Sequence, residues 1–277
     1  MDNICDSSRL LNTRIDAVPR RLTVFRDKRL PRKPGIVRPL PSEQLKEIPV
    51  HLQIDTMNVN NSHVDYEEFN EKTNEAGKIT VTDLNGRITR VRNHNLHHSD
   101  SLHLVASAFI ADSIFTKLNV KQSYTDSLGG FLMTVQMGRA NLALINPVLR
   151  ALASAELKSG RLDTLSMRVV GREELAFGEI KMSYHNLKVL VLKKGGRKRP
   201  LLSGIQNFFA NTLIKNESNE KGSRIFIRRQ KDRSAINYLV KITLNGITNT
   251  ITGKKSKKAY RKNKKEIAKK PLPPAGM

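Results

Sequence analysis

SLHLVASAFIADS, residues 101–113, is the stretch on which the fold turns. Leu102, Leu104, Ala106, Ala108 and Ile110 occupy every second position. A period of two belongs to a half-buried β-strand, because successive side chains of a strand point to opposite faces.

The same period extends outward in both directions for about 140 residues. Upstream, HLQIDTMNVNN sets Leu52, Ile54 and Thr56 on one side, and SHVDYEEF follows after a turn-like Asn60-Asn61. GKITVTDLNGRITRVRNHN alternates Ile79 and Val81, then shifts phase near Asp83 to give Leu84 and Ile88. Such a shift inside one strand is the sequence form of a β-bulge. Downstream, GGFLMTVQMGRANL offers Phe131, Met133, Val135 and Met137. GRLDTLSMRVVG, LAFGEIKMSYHNL and LKVLVLKKGG complete the set, with Gly160, Gly171 and Gly195-Gly196 expected at the joints. About eight alternating strands in succession, without crossover helices between them, predict an antiparallel meander.

One helix interrupts the strands. In ALINPVLRALASAEL, Leu149, Leu152 and Ala153 share a face. Two more helices follow. SGIQNFFANTLIKN opens at Ser203 and aligns Ile205, Phe208, Phe209, Thr212 and Leu213. SAINYLVKITLNGITNTITG opens at Ser234, a suitable N-cap, and closes at Gly253, a suitable C′ residue. Its apolar stripe is Ile236, Leu239, Val240, Ile247 and Ile251. The expected organisation is an Arg/Pro-rich connector over 1–49, a β domain over 50–195, C-terminal helices with one strand over 196–253, and a disordered Lys-rich tail over 254–277. Within the connector, one helical turn is expected at Ser42–Glu47.

Charge is concentrated at one end. From Lys193 onward there are 23 Lys and Arg against 4 Asp and Glu, so +19 of the +24 lies there. A single cysteine, Cys5, excludes an intramolecular disulfide and any multi-cysteine metal site. No apolar run reaches signal-peptide or membrane-span length. Nucleotide-loop, nucleophile-elbow and zinc-protease motifs are absent, so the chain reads as non-enzymatic, with no cofactor and no metal. His94, His97, His98 and His103 lack cysteine partners and helical ligand spacing, and read as a polar hairpin. Asp163, Glu173, Glu174 and Glu179 read as solvated strand positions rather than a carboxylate pair, and Phe208 and Phe209 as core. Met133, Met137, Met167 and Met182 suit packing, or an irregular apolar ligand.

The ordered set RDKRLPRKPG, PLPSEQLKEIPVHLQIDTMNVNNSHVDYEEF, GKITVTDLNGRITRVRN, ALINPVLRALASAELKSGRLDTLSMRV, FGEIKMSYHNLKVLVLKK and RRQKDRSAINYLVKITLNGI resembles the C-terminal part of AsmA-like envelope proteins, including the TamB-like group, over roughly residues 15–250. The resemblance implies a mainly β fold: an open, curved antiparallel sheet, a β-groove or half-barrel meander, with a short inserted helix and two C-terminal helices. It implies a concave apolar groove that holds or guides phospholipid acyl chains and supports outer-membrane homeostasis. The groove lining that it implies is Leu102, Leu104, Ala106, Ala108, Ile110, Met133, Val135, Ile180, Met182 and Tyr184. Partners implied are phospholipid and other envelope proteins; the basic residues of the C-terminus add, on their own chemistry, an anionic membrane surface. The implied location is the periplasm, as a piece of a longer, anchored chain. The family's N-terminal anchor and greater length are missing here, and the lysine tail is not a family feature. Two readings of the 234–252 helix stand beside each other: an interfacial helix, or a cap over the open end of the sheet. The alternative overall function is that of a basic nucleic-acid-binding protein.

Overall fold

The computed structural model describes residues 5–6, 9–18, 20–27, 29–30, 35–70, 73–153, 155–192, 217–218, 222–252 and 257–269. Among these residues, twelve strands form one sheet. In chain order they are β1 (Cys5–Asp6), β2 (Arg9–Ala17), β3 (Arg21–Asp27), β4 (His51–Asn70), β5 (Glu75–Arg92), β6 (Ser101–Ile110), β7 (Ile114–Ser123), β8 (Phe131–Met137), β9 (Ala140–Asn141), β10 (Ala155–Gly171), β11 (Leu175–Val191) and β12 (Ser223–Arg228). From β4 onward the long strands pair antiparallel with their chain neighbours, the short β9 adds to β10, and β12 ends the sheet. The sheet is mainly β, open and curved, as expected.

Two expectations about the strands need correction. The sheet is mixed, because β2 and β3 run parallel to β4, end to end along its outer edge. The segment expected as a connector is therefore partly sheet. Arg21 bonds Asp65 at 2.6 Å and Arg26 bonds Glu68 at 3.3 Å across this seam, tying β3 to β4 through long-range charge pairs. The Arg21 guanidinium holds the Asp65 carboxyl below its ordinary pKa. The strands are also longer than their turn-like residues suggested. Asn60-Asn61 is not a turn: β4 passes through it, and Asn61 adopts positive φ opposite the bulge at Asp83. The Asn85 side chain joins the two bulges, accepting from the Asn61 N–H at 3.1 Å and donating to the Asp83 carbonyl at 2.9 Å.

Gly160, expected at a joint, lies inside β10. Its φ of +155° and its contact with Leu187, where an added Cβ would come within 2.8 Å, demand glycine. Across the bulge, Asn186 takes positive φ in β11, so β11 continues as one strand to Val191.

The β6–β7 turn carries a local cost. Ala111 and Asp112 both have positive φ, at 49° and 58°. An alanine in that region is strained by about 1 kcal/mol. Ala111→Gly is expected to raise stability by about 0.5–1 kcal/mol, read as a higher urea midpoint with unchanged slope.

The helices are α1 (Pro41–Lys46), a 3₁₀ turn (Leu142–Ile145) running into α2 (Asn146–Ala153), α3 (Ala235–Thr252), α4 (Lys257–Lys262) and α5 (Lys264–Ile267). α1 matches the expected turn. The expected helix from Ser203, with Ile205, Phe208, Phe209, Thr212 and Leu213, lies outside the described residues. α2 is pinned by Asn146, whose amide exchanges hydrogen bonds with the Leu157 backbone at 2.8 and 3.0 Å. It touches both β5 and β10, which are separated in the sheet by β6, β7 and β8. A helix about 10 Å wide spans four strand spacings of about 4.8 Å only if the sheet curls around it. The face holding α2 is thus the concave one. The main core lies there, running from Leu40 and Val120 through Met133 and Met167 to Ile225 and Ile242.

Candidate functional site

Register sorts the sheet into rows. On the concave side, Ile88, Leu104, Val120, Met133, Val169, Gly178 and Ile225 stand opposite one another across seven strands. Beside this row run Gly86, Ala106, Leu118, Val135, Met167, Ile180 and Ser223. Interleaved on the convex side are Arg87, Val105, Asn119, Thr134, Arg168, Glu179 and Arg224. One face is therefore mainly apolar, with Gln122 and Ser223 as exceptions, and the other mainly polar and basic, which a single-residue slip would invert.

Leu102, Ala108, Met133, Val135, Ile180, Met182 and Tyr184 are buried. Leu104, Ala106 and Ile110 are partly exposed. The candidate lining thus divides in two. Toward β12 the apolar face is covered by α3, and Ile180 is fully buried beneath it. In the middle, Met57, Ile88, Leu104, Ala106 and Leu118 form a partly exposed apolar strip on β4 to β7. Burial pushes the Tyr184 phenol up to about 12, so it stays neutral. Met137 and Met182 flank Leu165, and Met167 lies between Val135 and Ile180, so the four methionines gather on the concave face.

α3 packs through a different stripe from the one its sequence suggested. Tyr238 and Ile242 are buried, and Gly246 lets the helix approach Ile225 and Ile180. Leu239, Ile247 and Ile251 pack partly against the same core. Ile236 and Val240 point outward, joined by Leu244, which the sequence stripe omitted. Ser234 caps the helix, its hydroxyl accepting from the Asn237 N–H at 3.3 Å.

Residues 257–269, within the tail expected to be disordered, instead form α4 and α5 against the convex face of β11 and β12. Tyr260 lies 5.9 Å from the Phe226 ring and donates to the Gly178 carbonyl at 3.2 Å. Burial raises its pKa. The Arg172 guanidinium holds the carbonyls of Glu266 at 2.6 Å and Lys269 at 2.6 Å. Burial pulls that guanidinium below its ordinary pKa. With α3 on the concave side and α4–α5 on the convex side, the chain straddles the β12 edge. Both sides of a free sheet margin are thereby covered.

The other candidates do not converge. His94 stacks on His51 with ring centroids 4.6 Å apart, His98 meets Thr125 at 3.2 Å, and His103 meets Asn119 at 2.9 Å. The His97 N–H is held by Asp100 at 2.9 Å. Among the described residues no three potential metal ligands lie together. Asp163 bonds His185 at 3.1 Å, and that contact lowers its pKa. Glu173 pairs with Arg229 and Glu174 with Lys231, while burial raises the Glu173 pKa. A shallow depression of about 620 Å³ lies among the convex-row residues Asn85, Arg87, Ser107, Lys117, Asn119, Thr134 and Gln136. Sequence reasoning passed over this polar surface, whose only signal was the off-beat positions of the apolar alternation.

No family model, no curated protein and no solved structure matches this chain.

Proposed function

We propose that the chain is a non-enzymatic, AsmA-like segment of the cell envelope that holds phospholipid acyl chains along the concave face of its sheet. The supporting observation is the partly exposed apolar strip Met57, Ile88, Leu104, Ala106 and Leu118 on the inside of an open, curled sheet. An acyl chain laid there gains about 0.8 kcal/mol per buried CH₂, so ten methylenes contribute on the order of 8 kcal/mol before the cost of binding. Such a surface needs shape and apolarity, not a reactive group. Periplasmic placement and contact with other envelope proteins belong to the same proposal. Among the described residues no helix is long and apolar enough to cross a membrane.

Mass spectrometry of organic extracts from salt-washed protein tests this reading. Near-stoichiometric phospholipid is expected, falling at least tenfold in Ala106→Asp and in Leu118→Asp while far-UV circular dichroism is retained. Wild-type protein free of lipid would sink the proposal.

A second reading, nucleic-acid binding, draws on the convex row, where Arg87, Arg168 and Arg224 share a face with Lys117 and Tyr260. Its mark is nucleic acid that survives the salt wash, since phosphate contacts weaken steeply with ionic strength.

A further inference from the structure

The middle of the convex face is one-sided in charge. Across β5 to β10 its aligned positions carry Arg87, Lys117, Lys121 and Arg168. Acids stand only at the margins. Glu179, opposite Arg168 on β11, is shared with Arg224. At the other end, the Asn58 amide donates to Asp16 at 2.7 Å and accepts from Arg87 Nε at 3.0 Å. Asp83 and Asp163 lie at the bulges of β5 and β10, outside this register. Among the described residues none of the four cations is ion-paired. A solvated strand face ordinarily sets opposite charges across from each other, so pairing within the sheet leaves this excess unexplained. Inside the same field Phe115 is 38% exposed, with Lys117 Nζ 5.6 Å from its ring centroid and the Phe109 ring 5.3 Å away. Ser107, Thr134 and Gln136 line the depression between the cations and supply uncharged donors and acceptors.

We infer that this part of the convex face binds single-stranded nucleic acid. The inference rests on the nucleic-acid reading above and gives it a site and a strand state. Charge selects a polyanion: the four cations span four strand spacings, about 19 Å, and a chain of phosphates can meet them in succession. Curvature selects the single strand. A planar bilayer, or a duplex that stays straight over about 150 base pairs, touches an outward-bulging sheet only along its crest. A flexible strand bends over it. Phe115 and Lys117 supply the two contacts such a strand uses, an aromatic face for a base and a cation for its phosphate. Stacking on a phenyl ring is tolerant of sequence, and the amide and hydroxyl groups of the depression can reach sugar oxygens and base edges. The site ends at β11, because α4 and α5 cover the same face beyond it through Tyr260 on Phe177 and Phe226.

Fluorescence anisotropy of the full chain with a labelled oligothymidylate of about 12 nucleotides tests it. Wild type is expected to bind with a log K against log salt slope of about −3, as roughly four phosphate contacts on a single strand require. A duplex of equal length is expected to bind at least tenfold more weakly. The triple variant Lys117→Gln, Lys121→Gln, Arg168→Gln is expected to weaken binding at least tenfold at unchanged melting temperature, and to flatten the slope to about −1. A charge-matched variant on α4 and α5, Lys262→Gln, Lys264→Gln, Lys265→Gln, is expected to weaken it less than threefold. Phe115→Leu is expected to cost at least fivefold, and Phe115→Tyr, which keeps the ring, to bind as wild type does. Wild type that binds neither strand form sinks this inference and the nucleic-acid reading together. Binding that follows the α4 and α5 charges rather than those of the sheet, ignores the loss of the Phe115 ring, or is equal for the duplex overturns the inference and leaves that reading standing. So does displacement of the oligonucleotide by anionic phospholipid vesicles that bind through the same three residues, which would give the face to a membrane.

Discussion

Val135→Asp is expected to lower the melting temperature by roughly 8–20 °C, whereas Ala106→Asp leaves it nearly unchanged. The two positions lie in one concave row, separated by Leu118. Val135 is 3% exposed, with Leu118 and Met167 opposite it on β7 and β10. A carboxyl introduced there either ionises without a partner or remains neutral at raised pKa, and each route costs several kcal/mol. Against a typical total stability of about 5–15 kcal/mol, a loss of about 4–5 kcal/mol lowers the melting temperature by roughly 8–20 °C and leaves a protein at the low end of that range barely folded. Ala106 is only partly buried, so its carboxylate can reach water. Differential scanning calorimetry of the two variants separates the outcomes. A Val135→Asp melting temperature equal to that of the wild type would mean that the concave face is open at β8. An equal fall in both variants would mean that the whole row is core, leaving no strip for an acyl chain.

Arg172→Ala is expected to release α4 and α5 while the sheet stays folded. Arg172 is 4% exposed and leads into the β10–β11 turn, its backbone N–H bonded to the Leu175 carbonyl at 2.8 Å. Its guanidinium reaches the carbonyls of Glu266, Ile267 and Lys269 at the end of the helical pair, and lies 5.1 Å from the Phe177 ring. The Glu266 and Ile267 carbonyls are orphan acceptors of a helix C-terminus, which a cation satisfies doubly, as donor and as charge, and the Lys269 carbonyl lies just beyond it. Hydrogen bonds to a charged donor contribute about 1.5–3 kcal/mol each, and the geometry here is shared among three acceptors. A local loss of about 2–4 kcal/mol corresponds to amide exchange faster by roughly 30- to 1,000-fold. The amides of Asn263, Ile267 and Ala268, which close the turns of α4 and α5, report it. Arg172→Lys should restore only part of the protection, since an ammonium cannot fork across the acceptors. Unchanged exchange in Arg172→Ala would show that Tyr260 and the Arg228 contacts to Asn263 and Glu266 hold the pair unaided.

Local patterns in the sequence were enough to place the strands, though not their passage through Asn60-Asn61 and Gly160, and to read the bulge at Asp83, the turn of helix at α1 and the Asn-Pro helix α2. Each of these is a local pattern: period two, a phase shift, a proline at a helix start. The candidate lining was legible as alternation within single strands, and register then aligned those strands into continuous rows. Division of that lining into covered and partly exposed members was not legible, because cover comes from α2 and α3, which approach from elsewhere in the chain. Parallel pairing of β2 and β3 was equally hidden. Leu22 and Val24 alternate, but alternation carries no strand direction, and the acidic partners Asp65 and Glu68 lie about forty residues away.

The C-terminus shows the same boundary most clearly. Its sequence determined a helix capped at Ser234, an excess of basic charge and the amounts of apolar surface on either side. Those follow from composition, spacing and capping chemistry within a few residues. Only the tertiary structure decided which apolar side of α3 meets the sheet, and that Arg172 and Tyr260 fold a lysine-rich tail onto the opposite face. α3 has two apolar stripes, and the one containing Gly246 comes close to Ile225 and Ile180. Close approach is a property of two surfaces together, so no pattern within one of them could reveal it.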